Sequence, residues 1–240
     1  MHIDRALLDR LRKERDIKRK TTSENADVSG EVTKIVPIIE THVKDSNVEK
    51  TSNWMLFKDL WLQNESGSLK KNISYRNYTR GSIVMSIDWG TSNIGTEIRY
   101  PHPGVVLYDQ GEDWVIVAPI TAARINPQTK TPIVHQPFEV LAAKQNVKPT
   151  DENEYWFRKD SVIQVDQVQR LSKYRIINKN SYKIRTNLSN EIDNIILEYY
   201  IPHKHAFVNN LKALLLEKNE ELSKAQVEIE RLKSELKALQ

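Results

Sequence analysis

The chain has 240 residues, with 36 Lys+Arg against 32 Asp+Glu and a formal net charge of +4. This mild basic bias permits a polyanionic partner without requiring one. The absence of cysteine excludes disulfides, thiolate metal ligands and a cysteine nucleophile, and no run approaches the roughly 18 apolar residues of a membrane span.

Residues 1–78 are polar and nearly free of glycine, and they read as a helical N-terminal extension. Charges stand where a signal peptide needs its apolar stretch, so a soluble, cytoplasmic protein is expected. Leu7, Leu8, Leu11 and Ile17 share one face of a basic helix that starts near Asp4. Its Arg5, Arg10, Arg12, Lys13, Arg15, Lys18, Arg19 and Lys20 suit docking to a partner, with RNA, DNA or the ribosome as the alternative target. Thr21–Gly30 reads as a linker. A second helix is predicted over Glu31–Val48, bent or broken at Pro37. Trp54, Phe57, Leu60 and Trp61 recur at helical spacing, and Gly67 with the polar run to Thr79 closes the region.

The next hundred residues change character. Ser82–Asp88, Gly104–Tyr108, Trp114–Ile120, Phe138–Leu141 and Ser161–Val168 are short runs rich in Val, Ile and aromatics. Gly, Pro, Asn and Asp separate them. Such a string predicts closely spaced strands in a small barrel or half-barrel. Lys144–Glu154 is polar and reads as a long loop.

The last segment turns helical. Ser189 is a candidate N-cap, with Glu191 and Asp193 in the first turn, and Pro202 ends or kinks that helix. Beyond it, Leu215, Leu222, Ile229 and Leu236 repeat every seven residues. Leu211, Ala225, Leu232 and Leu239 hold the companion position, which Lys218 interrupts. Residues 208–240 therefore read as a coiled coil through which the chain self-associates.

Several pieces of the middle region resemble the PemK/MazF family of toxins in order and spacing. Arg80-Gly81-Ser82-Ile83-Val84 opens the first strand as that family does. Gly95-Thr96-Glu97, Pro103 and Val105-Val106-Leu107 follow, then Ala118-Pro119-Ile120-Thr121. Asp160-Ser161-Val162-Ile163 with Asp166-Gln167 completes the set. The resemblance spans residues 79–200. It implies an α+β chain: a small SH3-like antiparallel β half-barrel carrying the N-terminal helical extension and the C-terminal coiled-coil helix.

The resemblance further implies a metal-independent endoribonuclease. It would cut single-stranded RNA through a 2′,3′-cyclic phosphate, as a homodimer, within a toxin–antitoxin or defence system, with an antitoxin as protein partner and no cofactor. Such chemistry needs a base for the 2′-OH, an acid for the leaving oxygen and donors for the phosphorane charge. Thr121 stands at the family's threonine position. The usual arginine position is His102, whose imidazole can give or take a proton, and Arg99 lies close enough to reach the same site. Asp166 and Gln167 match a second pair of the family, whose arginine companion is replaced by Gln164. Six basic residues and no acid lie between Val168 and Asn190. With Tyr174 and Tyr182 interleaved, they suit backbone contacts and base stacking, and Arg170, Lys173 and Arg175 are the candidate RNA contacts. His203 and His205, with His135 distant in sequence, lack acidic companions at metal-ligand spacing, so no metal site is expected. The alternative to an enzyme is a half-barrel that lost catalysis with its arginine and binds RNA or protein as a regulator.

Overall fold

A computed structural model of the chain describes residues 3–14, 20–68 and 76–238. It divides into two compact units. One comprises Met1–Asn72 with Gly90–Asn93, the other Ile73–Trp89 with Ile94–Gln240.

The first unit contains α1 (Arg5–Leu11), α2 (Ala26–Asp45) and α3 (Val48–Glu65). Each starts at a side chain that accepts a backbone N–H left unpaired at a helix start: Asp4 from Leu7, Asn25 from Val28, Asn47 from Lys50. The Asn25 cap corrects the expected linker over Thr21–Gly30, because it starts α2 five residues earlier than the apolar pattern suggests. Pro37 lies inside α2 without ending it; the helix forgoes one backbone bond there and continues. Ile17, Arg15, Lys18 and Arg19 lie outside the described residues.

The second unit carries an antiparallel sheet. Its strands are β1 (Ser82–Asp88), β2 (Pro101–Tyr108), β3 (Trp114–Ala122), β6 (Glu139–Ala142), β7 (Ser161–Gln164), β8 (Gln169–Ser172) and β9 (Ile176–Lys183), and a separate two-stranded ribbon pairs β4 (Arg124–Ile125) with β5 (Pro132–Ile133). The order is β6-β7-β3-β2-β1-β9, with β8 also paired to β3. The fold class is α+β, and the sheet is open rather than a closed barrel. Central to it is β3: Trp114–Val117 pair with β8, Ile116–Pro119 with β2 on the other edge, and Ile120–Ala122 with β7.

Neighbouring residues on one strand enter different cores, because successive side chains leave a strand on opposite faces. Ile83, Val105, Ala118 and Ile163 join one cluster; Val84, Val106, Val117 and Leu171 join the other. Both faces are covered, and that is why these strands read as continuous apolar runs. Gly104 is required where the faces crowd together. A Cβ there would meet Ile87 Cδ1 at 2.9 Å and Trp89 Cζ2 at 3.1 Å.

The run Ser161–Val168 is not one strand. It stops at Gln164 and tightens into a 3-10 turn over Val165–Gln167. The basic segment after it holds β8 and β9, which the strand pattern did not predict. Helix α4 (Thr186–Ile195) begins directly after β9, with Arg185 at its N-cap, so Ser189 is interior to the helix rather than its cap. Burial of Leu188 and Ile192 in the first core sets this register, and Asp193 pairs with Arg80 instead of facing the first turn. A short π turn over Ile196–Tyr200 leads to α5 (Pro202–Ala238). No helix among the described residues is long and apolar enough to cross a membrane.

Candidate active site

A groove of about 660 Å³ opens on the sheet unit. The loop Gly95–Arg99, the end of β3 at Thr121 and Ala122, and the β4–β5 ribbon at Arg124 and Ile133 line it. His135, Glu139, Val162, Gln164, Asp166 and Gln167 complete it. Short-range geometry aims these groups. Arg99 is exposed, and its guanidinium donates to the Gly95 carbonyl at 3.0 Å, across a loop that Gly95 turns with φ of +64°. Thr121 is set by its antiparallel partner Val162. The 3-10 turn after β7 swings Asp166 and Gln167 toward the same opening.

The groove contains a pair that the sequence reading did not assemble. Glu139 is 9% exposed in its side chain. It accepts the His135 backbone N–H at 2.7 Å, lies 3.1 Å from His135 Nδ1, and accepts from Gln164 Nε2 at 3.3 Å. A carboxylate only accepts, so His135 Nδ1 donates in this contact, and Nε2 is not engaged by Glu139. That is a carboxylate-oriented imidazole. The signal was present as a four-residue spacing and as an acid inside an otherwise apolar strand.

Asp166 sits in the field of this pair. Partial burial, the largest influence, and the Glu139 charge push its carboxyl above the ordinary range; hydrogen bonds from its own and the Gln167 backbone, and the electrostatic pull of His135, oppose this and weigh less. A carboxyl raised on folding prefers its proton in the folded state, so its ionisation costs stability above the unfolded value. Asp166→Asn is therefore expected to raise Tm at pH 7, with the gain fading below about pH 3, where both states hold the proton. Thermal denaturation across pH checks this.

Arg99, Thr121, Asp166 and Gln167 are thus brought together. His102 does not join the lining. It stands near the start of β2 opposite Ile87. Burial lowers its imidazole pKa, a hydrogen bond to the Arg99 backbone opposes this, and the Lys159 charge adds to the lowering. Nor do the other three basic candidates line the groove. Arg170 stacks 4.2 Å above the Trp114 ring, itself stacked on Tyr108 at 5.4 Å between centroids. Arg175 is half-buried within the field of Asp88. The expectation for Lys173 is corrected outright. Its side chain is 2% exposed and Nζ donates to Asp109 at 2.8 Å, so it cannot reach a strand in solvent. Among the described residues, no three His, Cys, Asp or Glu side chains gather closely enough to hold a metal ion.

A family model described as PemK-like, MazF-like toxin of type II toxin–antitoxin system matches residues 79–200. No curated protein matches the chain.

Proposed function

The chain belongs to the PemK-like, MazF-like toxin family of type II toxin–antitoxin systems, whose members are usually RNA-cleaving toxins, and from that premise we propose that it is a metal-independent endoribonuclease acting on single-stranded RNA. The observation that carries this reading is the convergence, in one open groove, of an oriented imidazole, a second carboxyl with raised proton affinity, a hydroxyl and two guanidiniums.

The roles follow from chemistry. Nε2 of His135 takes the proton of a ribose 2′-OH while Glu139 steadies the imidazolium that forms. The 2′ oxygen attacks the adjacent phosphorus, and Arg99 with Arg124 balances the charge gathering on the phosphorane oxygens. Thr121 donates a hydrogen bond to the same oxygens. Asp166, with its raised affinity for a proton, delivers one to the departing 5′ oxygen. The P–O5′ bond breaks, leaving a 2′,3′-cyclic phosphate and a free 5′-OH. One proton is taken and one is given, so the step balances without a cofactor. In this reading Arg99 takes the electrostatic part of the family's arginine, and His102 holds Arg99's backbone.

Purified protein incubated with single-stranded RNA in EDTA is expected to release fragments bearing 5′-OH ends. Cleavage that appears only on adding a metal would overturn the mechanism. RNA binding without cleavage in either condition would support the regulatory module instead.

A further inference from the structure

The last element has no role in the groove. Helix α5 runs 37 residues, about 55 Å at 1.5 Å per residue. Every residue from Asn209 to Lys237 is exposed, and Leu215 and Leu236 are 63% and 61% exposed. A helix bearing such a stripe needs a second surface to cover it.

The flanks of the stripe indicate what that surface is. With Val208, Leu215, Leu222, Ile229 and Leu236 at the first core position of each heptad, Leu211, Lys218, Ala225 and Leu232 fall at the second. The residues just before the first position, from the third heptad on, are Glu221, Glu228 and Glu235. The residues just after the second are Lys212, Asn219, Gln226 and Lys233. In a parallel pair these two flanks face each other, bringing Glu228 to Lys233 of the other copy and Glu221 to Gln226. In an antiparallel pair each flank faces itself, carboxylate against carboxylate and ammonium against ammonium, which is repulsive. The intrachain pairs now seen, Arg231–Glu228 and Lys233–Glu230, are exposed surface contacts of small worth and can exchange.

Lys218 is the one charge in the seam. Its Nζ is held by Glu221 of the same chain at 2.8 Å, which draws the ammonium out of the seam and leaves its methylenes to fill it. In register the two Lys218 face each other, and the outward pull of Glu221 on each ammonium is what keeps that layer from repelling.

We propose that α5 pairs with α5 of a second copy of this chain as a parallel, in-register, two-stranded coiled coil. Both sheet units then sit at the same end of the coil. The pairing rests on the helix alone and stands or falls independently of RNA cleavage.

Because the chain has no cysteine, an introduced thiol is the only one present. Leu211→Cys and Leu232→Cys place it near the two ends of the seam, where facing Cα atoms of a parallel pair are about 6 Å apart, within disulfide reach. Val227→Cys, on the outer face, is the control. Mild oxidation of each full-length variant is expected to shift the Leu211→Cys and Leu232→Cys proteins from one chain's mass to two on non-reducing gels. Val227→Cys should remain at one. A disulfide forming only when the Leu211→Cys protein is mixed with an Ile229→Cys protein would overturn the parallel order. Equal, slow crosslinking at all positions, or none, would overturn pairing between copies and assign the seam to another helix.

Discussion

Replacing Arg99 by alanine is expected to lower the rate of RNA cleavage by about two to three orders of magnitude, the usual cost of removing one preorganised donor to a transition-state charge. His102→Ala should cost much less, because His102 is bonded to the Arg99 backbone rather than lining the groove. His135→Ala belongs with Arg99→Ala. It removes the lone pair that accepts the 2′ proton, a contribution of about 10²–10⁴-fold. Glu139→Gln should fall between them, since it keeps the shape of the pair while losing the charge that stabilises the imidazolium. Single-turnover cleavage of one defined RNA by the four variants checks the order. If His102→Ala matched Arg99→Ala while His135→Ala stayed active, the proton transfers would have to be moved to the β2 side of the groove.

The second large effect concerns folding. Asp109→Ala is expected to destabilise the protein by about 3–5 kcal/mol, the cost of leaving one partner of a buried ion pair uncompensated. Against a total stability of about 5–15 kcal/mol, that is enough to unfold much of the protein at growth temperature. The side chains of Lys173 and Asp109 are 2% and 0% exposed, and Asp109 also accepts the backbone N–H groups of Tyr78 and Gly111 at 2.8 and 2.9 Å. Burial raises the Asp109 carboxyl, but the Lys173 ammonium and these donors outweigh it and hold it below the ordinary range. A carboxyl lowered on folding stabilises above its unfolded value, and that stability is lost as pH falls through the folded one. The wild type should therefore lose Tm in acid more steeply than the double variant Asp109→Leu with Lys173→Met, which removes both charges together. Denaturant unfolding of the single and double variants checks both statements. A single variant as stable as wild type would mean that the pair is not desolvated in solution.

Lys173 also illustrates how far charge patterning reaches. Six basic residues without an acid looked like one RNA-facing strip, yet the segment turns through β8, a 3-10 turn and β9. Its side chains are dealt to different faces: Arg170 to a stack on Trp114, Lys173 inward to Asp109, Arg175 beside Asp88. Asp109 lies 64 residues from Lys173 in the chain, and no local pattern announces such a pairing.

Features that are periodic or collinear were legible along the chain. Strand β1 was legible to the residue, because a run of Val and Ile bounded by Gly81 and Asp88 admits little else. The long helix α5 was legible from its heptads, and the family from motifs kept in order along residues 79–200. The tertiary structure alone decided the groove. The loop after Gly95, the end of β3, the start of β6 and the turn after β7 are far apart in the chain. They meet because β3 pairs with β8 and then with β7 along one edge while β2 holds the other. His135 and Glu139 gain their meaning there, since a four-residue spacing becomes a dyad only when a fold buries the acid and leaves the imidazole facing an opening. Long-range pairing, burial and the fields they create are properties of the packed state, and a linear pattern carries only their local share.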